Sequence, residues 1–201
     1  MANLILVRHG ESEWNQKGLW TGLTDIGLSS KGKEESKDAG EKLKGSSIDV
    51  AYTSPLIRAK QTLTEIENVL GIDVPAFENK ALNERDYGIY TGKNKWDIQK
   101  EVGAEQFNQL RRGWDSPIPE GETLQDVYNR VVPYYKSEIL PKLKDGKNIL
   151  IVGHGNSLRA LVKYLENISD ESVKKLEIGT GEIYMYMLDH KGAISSKNIF
   201  K

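Results

Sequence analysis

Two short apolar runs, each ending at a histidine followed by a glycine, constrain this chain more than any other feature. The first is Leu4-Ile5-Leu6-Val7, followed by Arg8-His9-Gly10-Glu11-Ser12. The second is Asn148-Ile149-Leu150-Ile151-Val152, followed by Gly153-His154-Gly155-Asn156-Ser157. Such runs predict strands buried on both faces, as in a parallel sheet covered by helices. Open α/β sheets carry their chemistry at the carboxyl ends of those strands. If the two strands are neighbours, His9 and His154 face each other across one cleft, with Arg8 beside the first. Gly10 is expected to let the backbone come close to a ligand. The third histidine, His190, lies in Asp189-His190-Lys191-Gly192 and reads as part of a turn.

At 201 residues the chain is long enough for one domain with a substantial core. The expectation is a single unit over 1–201 with a lid inserted at about 79–121. A net charge of −1 argues against a nucleic-acid or membrane-surface partner, so any anion site has to be built by local Arg and Lys. There are no cysteines, which excludes disulfides and thiolate chemistry. The apolar run before Arg8 is too short for a signal-peptide core, and no stretch approaches a membrane span. A cytoplasmic protein is expected.

The pattern along the chain predicts a three-layer α/β/α sandwich with a mostly parallel central sheet. Residues 12–28 read as a loop and 31–44 as a surface helix capped by Ser29-Ser30. A strand is expected over 48–54, then a helix opened by Pro55 that places Arg58 in its first turn. A short strand follows over 72–77. The segment 79–121 has little strand signal and carries Glu84, Tyr87, Lys95, Arg111 and Arg112. Thr123-Leu124-Gln125-Asp126 is a capping-box pattern that opens a helix to about Lys144, which Pro133 should bend. A helix over 157–165 and a strand over 183–188 follow, then a polar tail. Gly179-Thr180-Gly181 lacks the lysine of a phosphate-binding loop and reads as a turn.

A neutral histidine has a free lone pair near neutral pH and is a good phosphoryl acceptor. Phosphoryl transfer is then a matter of positioning and charge stabilisation, to which the planar fork of Arg is suited. Arg8 and Arg58 are expected at the rim, with a cationic His154 binding the same oxygens. Glu84 is the candidate proton acceptor; a surface ion pair with Arg85 is its alternative reading. Arg111-Arg112 by itself reads more readily as a solvated helix end, and Lys95 alone decides nothing. No His-x-x-x-His pair exists, and no metal is expected.

Leu6-Val7-Arg8-His9-Gly10-Glu11-Ser12 resembles the signature of the histidine phosphatase superfamily. Trp14-Asn15, Thr21-Gly22, Tyr52-Thr53-Ser54 with Arg58, the block Leu82 to Gly88, Lys95, Arg111-Arg112-Gly113 and the run from His154 to Val162 resemble its cofactor-dependent phosphoglycerate mutase branch. The likeness covers nearly the whole chain. It implies that His9 is phosphorylated, primed by 2,3-bisphosphoglycerate, with Glu84 as acid/base and His154 stabilising the transferring group. It implies that Arg8, Arg58, Ser12, Asn15, Gly155 and Asn156 hold the phosphoryl group. Thr21, Gly22, Tyr87, Lys95, Arg111 and Arg112 would hold the rest of a phosphoglycerate, and the lid and polar tail would exclude water. Between Arg112 and Thr123 the chain lacks an insertion found in longer mutases and linked with subunit contacts. Both a monomer and a homo-oligomer therefore stay open. A broad-specificity phosphatase is the alternative activity; it would not need Lys95 or the Arg111-Arg112 pair.

Overall fold

The computed structural model describes all 201 residues. β1 (Ala2–Arg8) leads into the short helix α1 (Glu13–Gln16) and then α2 (Ser30–Lys42). β2 (Val50–Thr53), α3 (Ile57–Leu70) and β3 (Ala76–Glu78) follow, then α4 (Lys95–Val102) and α5 (Ala104–Arg112). The chain continues with α6 (Leu124–Tyr134), α7 (Leu140–Lys144), β4 (Ile149–Gly153) and α8 (Gly155–Leu165). It ends in β5 (Ile183–Leu188) and β6 (Ile194–Phe200).

The strands form one sheet in the order β3-β2-β4-β1-β5-β6. β3, β2, β4 and β1 are parallel, and β5 and β6 add two antiparallel pairings at one edge. β1 and β4 are direct neighbours, with Arg8 in register with Gly153, so both histidines leave the sheet side by side. Alternation along these strands divides the core. Leu4, Leu6, Ile149 and Ile151 pack with Leu124, Val127, Leu158 and Leu161 of α6 and α8. Ile5, Val7, Leu150 and Val152 pack with Ala39, Leu43, Ala59 and Ile66 of α2 and α3. Both strands are buried on both faces, which is why they read as unbroken apolar runs. Ile98, Phe107, Leu110 and Ile118 of segment 79–121 close on Trp20 to make a third, smaller cluster. No helix is long and apolar enough to cross a membrane.

Several expected boundaries move. Segment 12–28 contains α1, and the second strand shortens to 50–53. The strand expected over 72–77 is only 76–78, beyond Pro75, whose ring gives no N–H to a ladder. α3 starts at Ile57, because its first free N–H is taken by Asp25 Oδ1 at 2.6 Å from outside the helix. Thr123 caps α6 with the expected box. The path to Lys144 continues, but through a π-helical turn over Tyr135–Ile139 lying between Pro133 and Pro141. The wider turn relieves the clash that the Pro141 ring would make with the carbonyl four residues back.

The largest correction concerns the tail. Residues 194–200 form β6, paired along β5, and none of them lines the cleft described below. The chain end is therefore fixed as an edge strand and does not cover the cleft. Gly10 is also reassigned. A Cβ there would stand 2.1 Å from Gly32 O and 2.8 Å from Ser36 Oγ, so its bareness serves the packing of β1's end on α2 and not a ligand.

Candidate active site

The carboxyl ends of β1 and β4 place His9 and His154 with ring centroids 4.9 Å apart, tilted by 59°. His9 Nδ1 lies 2.6 Å from Gly10 O. A carbonyl only accepts, so Nδ1 carries the proton and Nε2 keeps its lone pair. Burial, then the charges of Arg58 and Arg8, push the His9 pKa well below the ordinary 6.5; its bond to Gly10 pulls the other way. The ring is a neutral nucleophile at physiological pH.

His154 is fully buried behind it. Burial first, then Arg58, His9, Arg8 and Arg130, hold its pKa well below 6.5, so it is neutral and not the cation expected from sequence. Its Nε2 lies 2.7 Å from Ser54 Oγ, which already accepts the Leu56 N–H. The Ser54 hydroxyl hydrogen has no acceptor other than Nε2, so it is assigned to that bond, which puts the ring proton on Nδ1. Nδ1 has no partner of its own.

Beside His9 opens a cleft, which the fully buried His154 does not itself line. Arg8, His9, Asn15, Thr21, Gly22, Arg58, Glu84, Tyr87, Lys95, Arg111, Arg112, Gly155 and Asn156 all line it. These come from eight separate stretches of the chain, which the fold brings together. Ser12 is not brought there. It is fully buried, and its hydroxyl accepts the Asn15 N–H as the cap of α1, so it fixes the residue that does face the cleft.

Glu84 is 8% exposed, which removes the surface ion pair with Arg85 as a reading. Its Oε1 accepts from Arg85 N at 2.8 Å, Asn156 N at 3.1 Å and Asn156 Nδ2 at 3.0 Å. Oε2 takes part in none of these, and with the Arg8 guanidinium it flanks Gly155, where an added Cβ would stand 3.5 Å from each. Burial raises the Glu84 pKa. The Arg85 N–H, the charges of Arg8 and Arg58 and the Asn156 amide more than offset that, and the carboxyl sits below its usual value. The result is an ionised carboxylate with one oxygen anchored and one available.

The arginines divide into those aimed at the cleft and those that hold it. Arg8 Nη1 donates to Ile178 O at 2.6 Å, while its buried Nε has no partner. Arg58 is tied to the main chain at Gly22 O and Thr24 O, at 2.8 and 2.9 Å, which fixes the loop presenting Thr21 and Gly22. Burial lowers the Arg58 pKa to about 10, so it stays charged at neutral pH. Arg130 grips the carbonyls of Ala81, Asn83 and Glu84 from α6 and pairs with Glu122. Arg85 Nη2 donates to the carbonyls of Leu110 and Arg111 at the end of α5. That end points Arg111 and Arg112 at the cleft, which decides against a solvated helix end. Lys95 opens α4 with its ammonium 5.9 Å from the Trp20 ring centroid. Burial, with Arg111 and Arg8 nearby, lowers its pKa to about 8.

Four further residues line the cleft: Trp20, Arg159, Glu177 and Ile178. Arg159 falls three residues after Asn156 on one helix face, a spacing that marks it as a neighbour. Trp20 adjoins Thr21. Nothing local in the sequence points to Glu177 and Ile178.

Six Arg or Lys and only two Glu line the cleft, and the buried Arg8 Nε, Thr21 Oγ1 and Trp20 Nε1 have no partner. A shape with this excess of donors and positive charge takes a small polyanion. A neutral, oriented histidine among arginines at the end of a parallel sheet is an arrangement suited to accepting a phosphoryl group. Residues 4–198 match the Histidine phosphatase superfamily (branch 1), and the chain belongs to that superfamily. It is 48% identical over 199 residues to a 2,3-bisphosphoglycerate-dependent phosphoglycerate mutase of Parvibaculum lavamentivorans, covering 98% of this chain and 95% of that protein. A protein of the same description from Cytophaga hutchinsonii is 44% identical over 201 residues, covering 100% and 94%. Among solved structures, Bacillus stearothermophilus YhfR superposes with a TM-score of 0.85 over 96% of this chain and 94% of its own, at 23% identity. That likeness shows a shared fold.

Proposed function

We propose that this chain interconverts 3-phosphoglycerate and 2-phosphoglycerate through a phosphohistidine at His9, primed by 2,3-bisphosphoglycerate. The observation that carries this reading is the position of Lys95, Arg111 and Arg112 in the same cleft as His9 and Glu84. A phosphatase needs only the phosphoryl end of the cleft; three further cations suit a substrate with a second anionic end that must be held for the return step. The mutases 44–48% identical to it support the same reading.

The unpartnered donors and the excess of cations fit a bisphosphorylated carboxylate. Arg8, Arg58, Asn15, Gly155 and Asn156 would hold the phosphoryl group nearest His9, and Thr21, Gly22, Tyr87, Lys95, Arg111 and Arg112 the remainder. When bound, 2,3-bisphosphoglycerate supplies the first phosphoryl group. In the forward step the N–P bond of phospho-His9 breaks as the substrate hydroxyl oxygen bonds phosphorus, and Glu84 Oε2 takes the hydroxyl proton. In the return step His9 Nε2 accepts the phosphoryl from the adjacent carbon's oxygen, and Glu84 returns the proton. The Gly10 carbonyl holds the ring in the required tautomer throughout, and the His154 Nδ1–H donates to the charge in flight. We read segment 79–121 as the lid that keeps water from phospho-His9, in a cytoplasmic enzyme.

One assay tests this: 3-phosphoglycerate with and without catalytic 2,3-bisphosphoglycerate, following 2-phosphoglycerate and inorganic phosphate together. Isomerisation that depends on the bisphosphate and outruns phosphate release supports the mutase. Phosphate release dominating under every condition makes the chain a phosphatase.

A further inference from the structure

Glu177 is the one acidic group at the cleft besides Glu84, and unlike Glu84 its carboxylate is not buried. Its Oε1 bonds Arg112 Nη2. The backbone on either side is anchored by cleft arginines: Leu176 O accepts from Arg159 Nε at 3.0 Å, and Ile178 O from Arg8 Nη1 at 2.6 Å. The Arg112 carbonyl is likewise held, by Arg159 Nη2 at 3.1 Å. Both main chains are fixed, so the Arg112–Glu177 pair opens by side-chain rotation alone. The Glu177 side chain is 64% exposed and free to swing, whereas that of Arg112 is 22% exposed.

On the far side of the pair lies a second, open pocket, lined by Asn108, Gln109, Arg112, Lys174, Lys175 and Glu177. The two lysines give a displaced carboxylate a cationic place to go. We propose that Glu177 is an internal anion that occupies Arg112 in the empty cleft and yields it, turning towards Lys174 and Lys175, when the second anionic end of a substrate arrives. This rests on the reading of Arg112 as part of the substrate site. Glu177 then sets affinity and selectivity: a ligand long enough to reach Arg112 has to compete with it, while a lone phosphate bound beside His9 does not. Apparent affinity is reduced by the fraction of molecules in which Arg112 is free. For a partly exposed ion pair that factor is about two to five.

The test is calorimetric titration of wild type and Glu177→Gln with 3-phosphoglycerate and, separately, inorganic phosphate, with no bisphosphate present so that nothing turns over. The expected result is two- to five-fold tighter 3-phosphoglycerate binding in E177Q, shrinking at high salt, with phosphate affinity unchanged. In an Arg112→Gln background the same substitution should have no effect, which separates competition for Arg112 from a general change of field. Glu177→Ser should shift binding in the same direction, should E177Q fold poorly. Equal or weaker binding of 3-phosphoglycerate by E177Q, or an undiminished gain in the R112Q background, overturns the inference. A wild type that binds phosphate but no 3-phosphoglycerate overturns both the inference and the proposed substrate, so the two failures are distinguishable.

Discussion

Arg159 Nη1 donates to Asn156 Oδ1 at 2.8 Å, and this one bond sets which way the Asn156 amide faces. Arginine has no acceptor, so the oxygen must point to it and the NH2 must point away, towards Glu84 Oε1 and the Tyr87 hydroxyl. The same guanidinium holds the carbonyls of Arg112, Val173 and Leu176. One buried side chain thus ties the Glu84 carboxylate, through Asn156, to Arg112 at the end of α5.

Arg159→Lys keeps the charge but loses the fork, and three ammonium donors leave at least one of these four acceptors unpaired. The expected outcome is a loss of about 2 kcal/mol of stability and a fall in kcat together with a rise in KM, as Glu84 and Arg112 both lose their settings. A urea titration alongside steady-state kinetics checks this. A variant that is less stable but keeps wild-type kcat and KM would show that Arg159 is only structural.

Gly10→Ala tests the reassignment of that glycine. The added methyl meets the Gly32 backbone and the hydrogen-bonded Ser36 Oγ, so relief requires α2 to move. A cost of about 1–3 kcal/mol is expected, read as a lower urea midpoint, with reduced phosphorylation of His9 because the Gly10 carbonyl is its anchor. Unchanged stability with weakened substrate binding alone would restore the ligand-contact role.

Lys95 gives a pH dependence in two opposite directions. Its pKa in the folded chain is about 8, below the 10.5 of a free lysine. Under pH 8 it is charged folded and unfolded, and the folded state bears the whole cost of burying that charge. Between pH 8 and 10.5 the unfolded chain holds the proton more tightly, so the Lys95 contribution to stability rises with pH. Anion binding moves the other way, with KM for 3-phosphoglycerate rising as pH passes 8. Lys95→Met should raise KM at neutral pH and abolish its rise above 8. If the rise persists in that variant, another group is responsible.

The sheet was legible because β1 and β4 are covered on both faces, which forces near-continuous apolar runs. The histidines following them could be paired only by assuming that the strands adjoin. β6 was missed for a matching reason: Ile194-Ser195-Ser196-Lys197-Asn198-Ile199-Phe200 is a largely exposed edge strand, so its residues show no core pattern. Ser12 looked like a phosphate ligand because it ends the signature, but its capping bond to Asn15 is a local competition that spacing alone does not resolve. The neutral state of His154 was invisible because it depends on burial and on three arginines, Arg58, Arg8 and Arg130, from distant parts of the chain. Arg85, Arg130 and Arg159 hold main-chain carbonyls far from them in sequence, and a surface-type residue in the core gives no periodic signal.

The central claim is that His9 Nε2 is the atom that carries the phosphoryl group. The most direct measurement is to treat the protein with 2,3-bisphosphoglycerate, trap it at alkaline pH, and locate the label by peptide mass spectrometry and phosphorus NMR. The account predicts one phosphoryl group, on Nε2 of His9, absent from His9→Ala and never on His154. A label on His154, on Nδ1 of His9, or full turnover by His9→Ala would contradict it.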